Sequence, residues 1–258
     1  MSQEGVSIVI PNWNHEFFLP RSVLSALKTT RILREMGVPG EVLVVDDASR
    51  DGSEALLRSL EALHAGEGLR VRRHETNQGL IAARNTGLLN ARHRYVVFLD
   101  ADNHLIEENF PTFLQAIRET DAAAVYGNLM MRDIGEESAF WICSGESFQT
   151  RIYDENYIDA LALFDRTQLL DCGGYGGGVD SWADWELWMR LAALGRRLVF
   201  VPLAFGVYQF LHNSMMRAEA DTDAIKPHFR RVFNQMGFRA VATTRTHHRR
   251  YLPGIGYL

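Results

Sequence analysis

The sequence predicts an α/β protein with a mainly parallel central sheet flanked by helices. Three observations predict it. Short apolar runs alternate with amphipathic segments over about the first half of the chain, the rhythm of a doubly wound sheet. Runs such as 42–45 (VLVV) and 95–99 (YVVFL) are apolar throughout rather than alternately polar, as strands covered on both faces are. Both runs stop at carboxylates, Asp46-Asp47 and Asp100-Ala101-Asp102, at the strand end where open α/β sheets bind ligands.

Each element has a local reason. Residues 6–11 are a short apolar strand. Residues 19–36 carry apolar side chains at helical spacing (Leu19, Val23, Leu27, Leu33), and Gly37 and Pro39 stop that helix. Residues 42–45 are the second strand. Ser49-Arg50-Asp51-Gly52-Ser53 is turn chemistry that leads into a helix over 54–63. A third strand follows at 69–74, and Asn77-Gln78-Gly79 opens a helix over 80–91. Residues 95–99 form the fourth strand, 107–120 a helix with acids at its start, and 122–126 a fifth strand. Residues 127–159 are irregular and rich in aromatics. Glycines 173, 174 and 176–178 read as a loop closing near an acceptor, or as a flexible lid. Residues 184–194 form an amphipathic helix ended by Gly195, and 198–201 a late strand. Beyond Thr222 the expectation is one helix and then extended chain.

Composition narrows the class. The chain has 258 residues, 47% hydrophobic and 23% charged, as an ordinary globular protein does. No apolar run approaches the roughly 18 residues needed to span a bilayer. No basic-then-apolar leader pattern opens the chain, so a cytoplasmic protein is expected. Cys143 and Cys172 are too few for a disulfide framework and lack metal-ligand spacing, so both read as buried thiols. The net charge of −5 conceals an asymmetry. Residues 224–258 carry seven cations and no acid, leaving −12 on the rest. The division expected is a main domain over 1–222 and a basic extension over 223–258. Such a tail docks on anionic lipid at the inner face of the membrane, or folds back onto its own acidic body, or meets a second subunit. Nucleic acid is not expected, because the acidic body repels phosphate.

The strand ends set the chemistry. Clustered carboxylates repel one another unless a cation joins them, and a hard divalent ion with a phosphate-bearing substrate is the natural candidate. No Gly-x-Gly-x-x-Gly follows the first strand, where Pro11-Asn12-Trp13-Asn14 stands instead, so a dinucleotide fold is excluded; a P-loop is also absent. Asp100-Ala101-Asp102 reads as a metal site or as a plain strand cap. Asp46 and Asp47 read as turn formers or as acceptors for the imide N–H of a pyrimidine. Trp13 reads as core or as a stacking platform for a base. Asp184, opening the late helix, is a dipole cap or a general base. Trp182, Trp185 and Trp188 offer faces to a sugar ring or fill the core.

Taken together and in order, Ser7-Ile8-Val9-Ile10-Pro11-Asn12-Trp13-Asn14, Val44-Val45-Asp46-Asp47-Ala48-Ser49, Asn77-Gln78-Gly79 with Ala83-Arg84-Asn85-Thr86-Gly87, Phe98-Leu99-Asp100-Ala101-Asp102-Asn103 and Asp184-Trp185-Glu186-Leu187 resemble the inverting glycosyltransferases of family 2, which have the GT-A fold. The resemblance implies a nucleotide-sugar donor, a UDP-sugar before others, with Pro11, Trp13 and Asp47 lining the base pocket and Asp46 beside them. It implies Arg84 near the nucleotide and Asp100 facing ribose or metal. Asp102 is implied to ligate Mn²⁺ or Mg²⁺ on the diphosphate, and Asp184 to be the catalytic base. Trp182 and Trp185 are placed toward the acceptor, a glycan or lipid-linked saccharide in surface polysaccharide or glycolipid assembly. A homo-oligomer is compatible with this reading.

Two departures stand out. The Glu that usually precedes the base is Ala183 here. The family's His near Ser214 aligns with Leu211, so His212 becomes a metal ligand only after a one-residue shift. Two rival functions remain. A sugar-phosphate nucleotidyltransferase shares the sheet but needs a glycine-rich loop after the first strand. A non-catalytic sugar-nucleotide or glycan-binding module takes its support from Ala183.

Overall fold

The computed structural model describes residues 3–133, 140–143, 152, 156–176, 182–210, 251–252 and 256–257. His212, the boundary at residue 222, glycines 177 and 178, and the tail apart from one short hairpin lie outside these residues.

Four parallel strands form the first half of the sheet: β1 (Gln3–Asn12), β2 (Gly40–Asp46), β3 (Leu69–Arg73) and β4 (His93–Phe98), in the order β3-β2-β1-β4. Their connections are helices α1 (Leu19–Glu35), α2 (Ser53–His64) and α3 (Leu80–Asn90). Register decides what meets at the strand ends. Asn12 lies beside Asp46, and Val9 lies beside Phe98, so the chain leaves β1, β2 and β4 along one rim.

Beyond β4 the sheet is mixed, which departs from a mainly parallel expectation. It continues through β8 (Ala162–Asp165), β6 (Ala124–Asp133), β9 (Leu198–Phe210) and β5 (His104–Leu105), with β7 (Phe140–Cys143) paired to β6. β8 is antiparallel to both β4 and β6, whereas β6 and β9 are parallel. Helix α4 (Phe110–Thr120) precedes β6; α5 (Arg166–Asp171) and α6 (Ala183–Ala193) precede β9. β10 (Tyr251–Leu252) and β11 (Gly256–Tyr257) make the antiparallel hairpin of the tail.

Helices cover both faces of the sheet. On one face Val23 and Leu27 of α1, Leu57 of α2 and Phe113 of α4 pack on Ile8, Val44 and Val97. On the other, Ala83 of α3, Leu169 of α5, and Trp185 and Trp188 of α6 pack on Val9, Phe98 and Phe164. This arrangement follows from the fully apolar strands, which leave no face for water. Helix α3 lies flush on β1, because a Cβ on Gly87 would fall 2.1 Å from Val9 Cγ1. That contact fixes the depth of every side chain on α3.

The glycine-rich loop is not a lid where it is described. Gly173 and Gly174, at φ +94° and +68°, terminate α5 by donating to the carbonyls of Leu170 and Leu169, both at 2.9 Å. Tyr175 is then tied to Asn85, which accepts from its N–H at 2.9 Å and donates to its carbonyl at 2.8 Å.

Candidate functional site

The rim begins with two loops stitched together. Asp46 is 1% exposed, and its Oδ1 accepts from Asn12 Nδ2 at 2.8 Å and from Ser49 Oγ at 2.5 Å. Arg73 pairs with its other oxygen at 3.2 Å. Ser49 Oγ also accepts from the Asn14 N–H at 2.9 Å, and Asn14 accepts from the Arg50 N–H at 2.7 Å. Asn12 and Asn14 therefore pin the backbone on either side of Trp13, which stays 50% exposed at the rim, while Pro11 is buried. Asp46 works as the knot of these loops.

Asp47 clamps a second loop. Its Oδ1 accepts from His74 Nδ1 at 2.6 Å and from the Gln78 N–H at 2.9 Å; its Oδ2 accepts from the Gly79 N–H at 2.8 Å. Gly79 is the N-cap of α3, so the carboxylate satisfies donors that the helix itself leaves free. His74 Nε2 continues the chain of bonds to Thr86 Oγ1 at 2.9 Å. A carboxylate can accept about four hydrogen bonds, so this clamp leaves Asp47 roughly one lone pair, on Oδ2, for a base. Asp47→Ala is expected to cost about 1–2 kcal/mol, because part-buried N–H groups lose a charged acceptor. A urea midpoint unchanged from that of the native chain would show that those groups find other partners.

Helix α3 then delivers Arg84 to the end of β4. One Arg84 Nη donates to both oxygens of Asp100, at 2.8 and 3.1 Å. The guanidinium lies 5.0 Å from the Tyr175 ring centroid, and its Nε is buried without a partner. Burial is the largest influence and would lower the Arg84 pKa, but the Asp100 charge, Tyr175, the hydrogen bond to Asp100 and the Asp184 charge together outweigh it and leave the pKa raised.

Around Arg84 lie carboxylates in excess. Burial pushes Asp102 up to about 7, with the Asp100 charge adding to it. No cation among the described residues pairs with Asp102. Asp184 is raised by burial against the opposing pull of Arg84. It sits in the first turn of α6, where Oδ1 accepts from the Trp185 N–H at 2.8 Å and Oδ2 from Asn156 Nδ2 at 3.4 Å. Asp159, which no sequence motif singles out, is pushed up to about 7 by burial and then by Asp184 and Asp100. The Tyr208 phenol is raised by burial and then by Asp159, Asp102, Asp100 and Asp184. Asp100, Asp102, Asp159 and Asp184 thus lie within electrostatic reach of buried Arg84. Such a convergence of perturbed groups is the pattern of a candidate functional site.

One expectation needs correction, and one open alternative is decided. Trp185 is 1% exposed, and its indole donates to the Ile152 carbonyl at 2.6 Å, so it is core and offers no face to a sugar. Trp188 is equally buried, stacked on Phe164 with ring centroids 5.3 Å apart. Trp182 alone of the three stays partly exposed; it packs on Trp185 at 5.6 Å, and its Nε1 has no partner.

Among the described residues no three His, Cys, Asp or Glu side chains are placed to hold a divalent cation by themselves. A Mg²⁺-type site on a phosphate substrate needs only about one or two protein carboxylates, with phosphate and water completing the shell. Asp102, which has no ion pair among the described residues and lies near Asp100, fits that demand.

The family model described as Glycosyl transferase family 2 matches residues 7–171. Among curated relatives, the glycosyltransferase GlyA of Streptococcus pneumoniae is 27% identical over 151 residues, 58% of this chain and 20% of its own. A β-1,3-glucosyltransferase of Escherichia coli, WfgD, named as acting from UDP-Glc on an α-D-GlcNAc-diphosphoundecaprenol, is 30% identical over 48% of this chain and 45% of its own. The chain thus spans half or less of these relatives. Among solved structures, Staphylococcus aureus TarS in complex with UDP-GlcNAc superposes over 90% of this chain and 66% of its own, with a TM-score of 0.68 at 18% identity. A mannosyltransferase of Pyrobaculum calidifontis, in complex with GDP-Man and Mn²⁺, superposes over 90% of this chain and 64% of its own, at 0.66 and 19%. Among the described residues no helix is long and apolar enough to cross a membrane.

Proposed function

The chain belongs to glycosyl transferase family 2 and has the GT-A fold, and from that premise we propose that it transfers a sugar from a nucleotide-sugar to an acceptor hydroxyl with inversion. The convergence of Asp100, Asp102 and Asp184 around Arg84 at the strand ends carries this reading. Trp13 and Pro11 supply the wall for the base, with Asp46 and Asp47 holding that wall in place. Arg84 fixes Asp100 toward the ribose side of the donor. Asp184 takes the proton of the acceptor hydroxyl while that oxygen bonds to the anomeric carbon. The bond from that carbon to the diphosphate breaks on the opposite face, and the nucleoside diphosphate leaves. Raised basicity suits Asp184 to this work, because a base gains driving force as its pKa nears the working pH. A divalent cation on Asp102, with Asp100 and the donor phosphates, would supply Lewis-acid stabilisation of the departing diphosphate.

The donor class follows the neighbours, which bind UDP, UDP-GlcNAc or GDP-Man. A glycan or lipid-linked acceptor, a cytoplasmic location and peripheral membrane contact through the basic residues 223–258 extend the same proposal. Thermal denaturation with UDP or GDP, with and without Mn²⁺, tests it. One nucleotide at a hundredfold excess over its Kd should raise Tm by about 5 °C or more, and Mn²⁺ should raise it further. No shift with either nucleotide, in the presence of Mn²⁺, would remove the donor site.

A further inference from the structure

Ala183 raises a chemical question. It stands where the family carries an acid beside the base, and it is fully buried among aromatic side chains. The structure brings an acid to the base from another direction. β8 runs antiparallel to β4, with Val97 beside Leu163 and Tyr95 beside Asp165. Continuing that register brings residues 159–161 level with residues 99–101. The start of β8 therefore lies at the same rim as the end of β4.

The segment leading into β8 is also fastened to α6. Asn156 donates to Asp184, and Trp188, one helical turn on from Asp184, donates its indole N–H to the Asp159 carbonyl at 3.3 Å. Residues 156–159 thus run along the face of α6 that carries Asp184. The Asp159 side chain is held by its own turn, where Oδ1 accepts from the Leu161 N–H at 2.8 Å. No ion pair to it occurs among the described residues; the nearby Arg84 turns one Nη to both oxygens of Asp100.

We propose that Asp159 is the positioning acid of this chain, set against Asp184 by the 156–161 turn in place of the acid absent at 183. This rests on the reading of Asp184 as the base. The two carboxylates act as a coupled pair. Each negative charge strengthens the other's hold on a proton, so the pair releases its protons in two separated steps. Once both carboxylates are ionised, the first proton returns to the pair more tightly than it would to a lone carboxylate at that place. The titratable groups near the pair are Arg84 of α3, Asp100 and Asp102 at the end of β4, and two phenols kept neutral by burial and the nearby carboxylates, Tyr175 of the loop after α5 and Tyr208 of β9. Only Arg84 among them is positive, and it opposes the effect.

The test needs no substrate. Full-length protein labelled at the Asp carboxyl carbon is titrated by NMR, with the Asp184 resonance assigned by its loss in Asp184→Asn. In Asp159→Asn, which keeps the acceptor for Leu161 N–H, the upper step of the pair should vanish, leaving an Asp184 midpoint at least about one pH unit below that step, a tenfold loss of proton affinity. Asp159→Glu should restore the upper step. Asp184→Asn should likewise leave Asp159 titrating at least about one pH unit below the upper step, and this arm stands if Asp159→Asn does not fold. An upper step that persists unmoved in either folded variant overturns the proposal. Failure of the nucleotide thermal shift would overturn the donor reading while leaving this titration intact, so the two fail separately.

Discussion

Asp184→Asn is expected to lower the rate of sugar transfer by at least about 10²-fold, the low end for loss of a general base. The substitution is nearly isosteric. It keeps an oxygen for the Trp185 N–H, now 2.8 Å from Oδ1, so the first turn of α6 stays formed. Donor binding should therefore be unchanged, since Trp13, Asp47, Arg84 and Asp102 lie on other elements. The measurement is initial-rate release of nucleoside diphosphate, with nucleotide affinity read separately by calorimetry. Loss of kcat at constant affinity identifies an interaction made in the transition state. A variant with full kcat would take Asp184 out of the chemistry and leave it as a helix cap.

The second large effect concerns Arg84. Asp102 and Asp159 have folded-state pKa values near 7, and Asp184 is raised as well. In the unfolded chain such groups titrate near about 4, so between roughly pH 4 and 7 the folded state binds more protons. These groups therefore favour folding at acid pH, and that contribution is lost as pH rises through about 7. Arg84 is the buried cation that limits the loss. Arg84→Leu should cost about 3–5 kcal/mol at pH 8, where the carboxylates are ionised and uncompensated. At pH 5 the cost should be much smaller, because protonation relieves the repulsion. Urea denaturation at both pH values checks this. An equal cost at pH 5 and pH 8 would mean that Arg84 acts through packing alone.

Much of the molecule is legible in its residues. The parallel half of the sheet can be read because its strands are apolar on both faces and its helices have clean stops, as at Gly37 with Pro39. Asp100 and Asp102 can be placed because a buried strand that ends in carboxylates sets charge where a ligand or a counter-ion must offset it. The second half resists for physical reasons. β5 is two residues long and α5 six, too short for any periodicity to register. β9 runs to Phe210, well past residue 201, with Pro202 and Gly206 inside it masking the pattern. The tryptophans of α6 look alike in sequence, and only packing separates buried Trp185 and Trp188 from Trp182. Asp159 escapes a search for acids that follow apolar runs. In an antiparallel strand the equivalent place comes before the run, and Asp159 directly precedes the apolar residues 160–164. That order is the signal by which it could be found.

The acidic group has two supports. Arg84, Asp100 and Asp102 stand at the end of β4 and on α3, and the 156–161 turn with Asp159 leads into β8, all within the segment matched by the family model. Asp184 stands on α6, beyond residue 171 where that match ends. On the proposed function, α6 can be rewritten to suit a different incoming hydroxyl while the residues assigned to the activated sugar stay as they are.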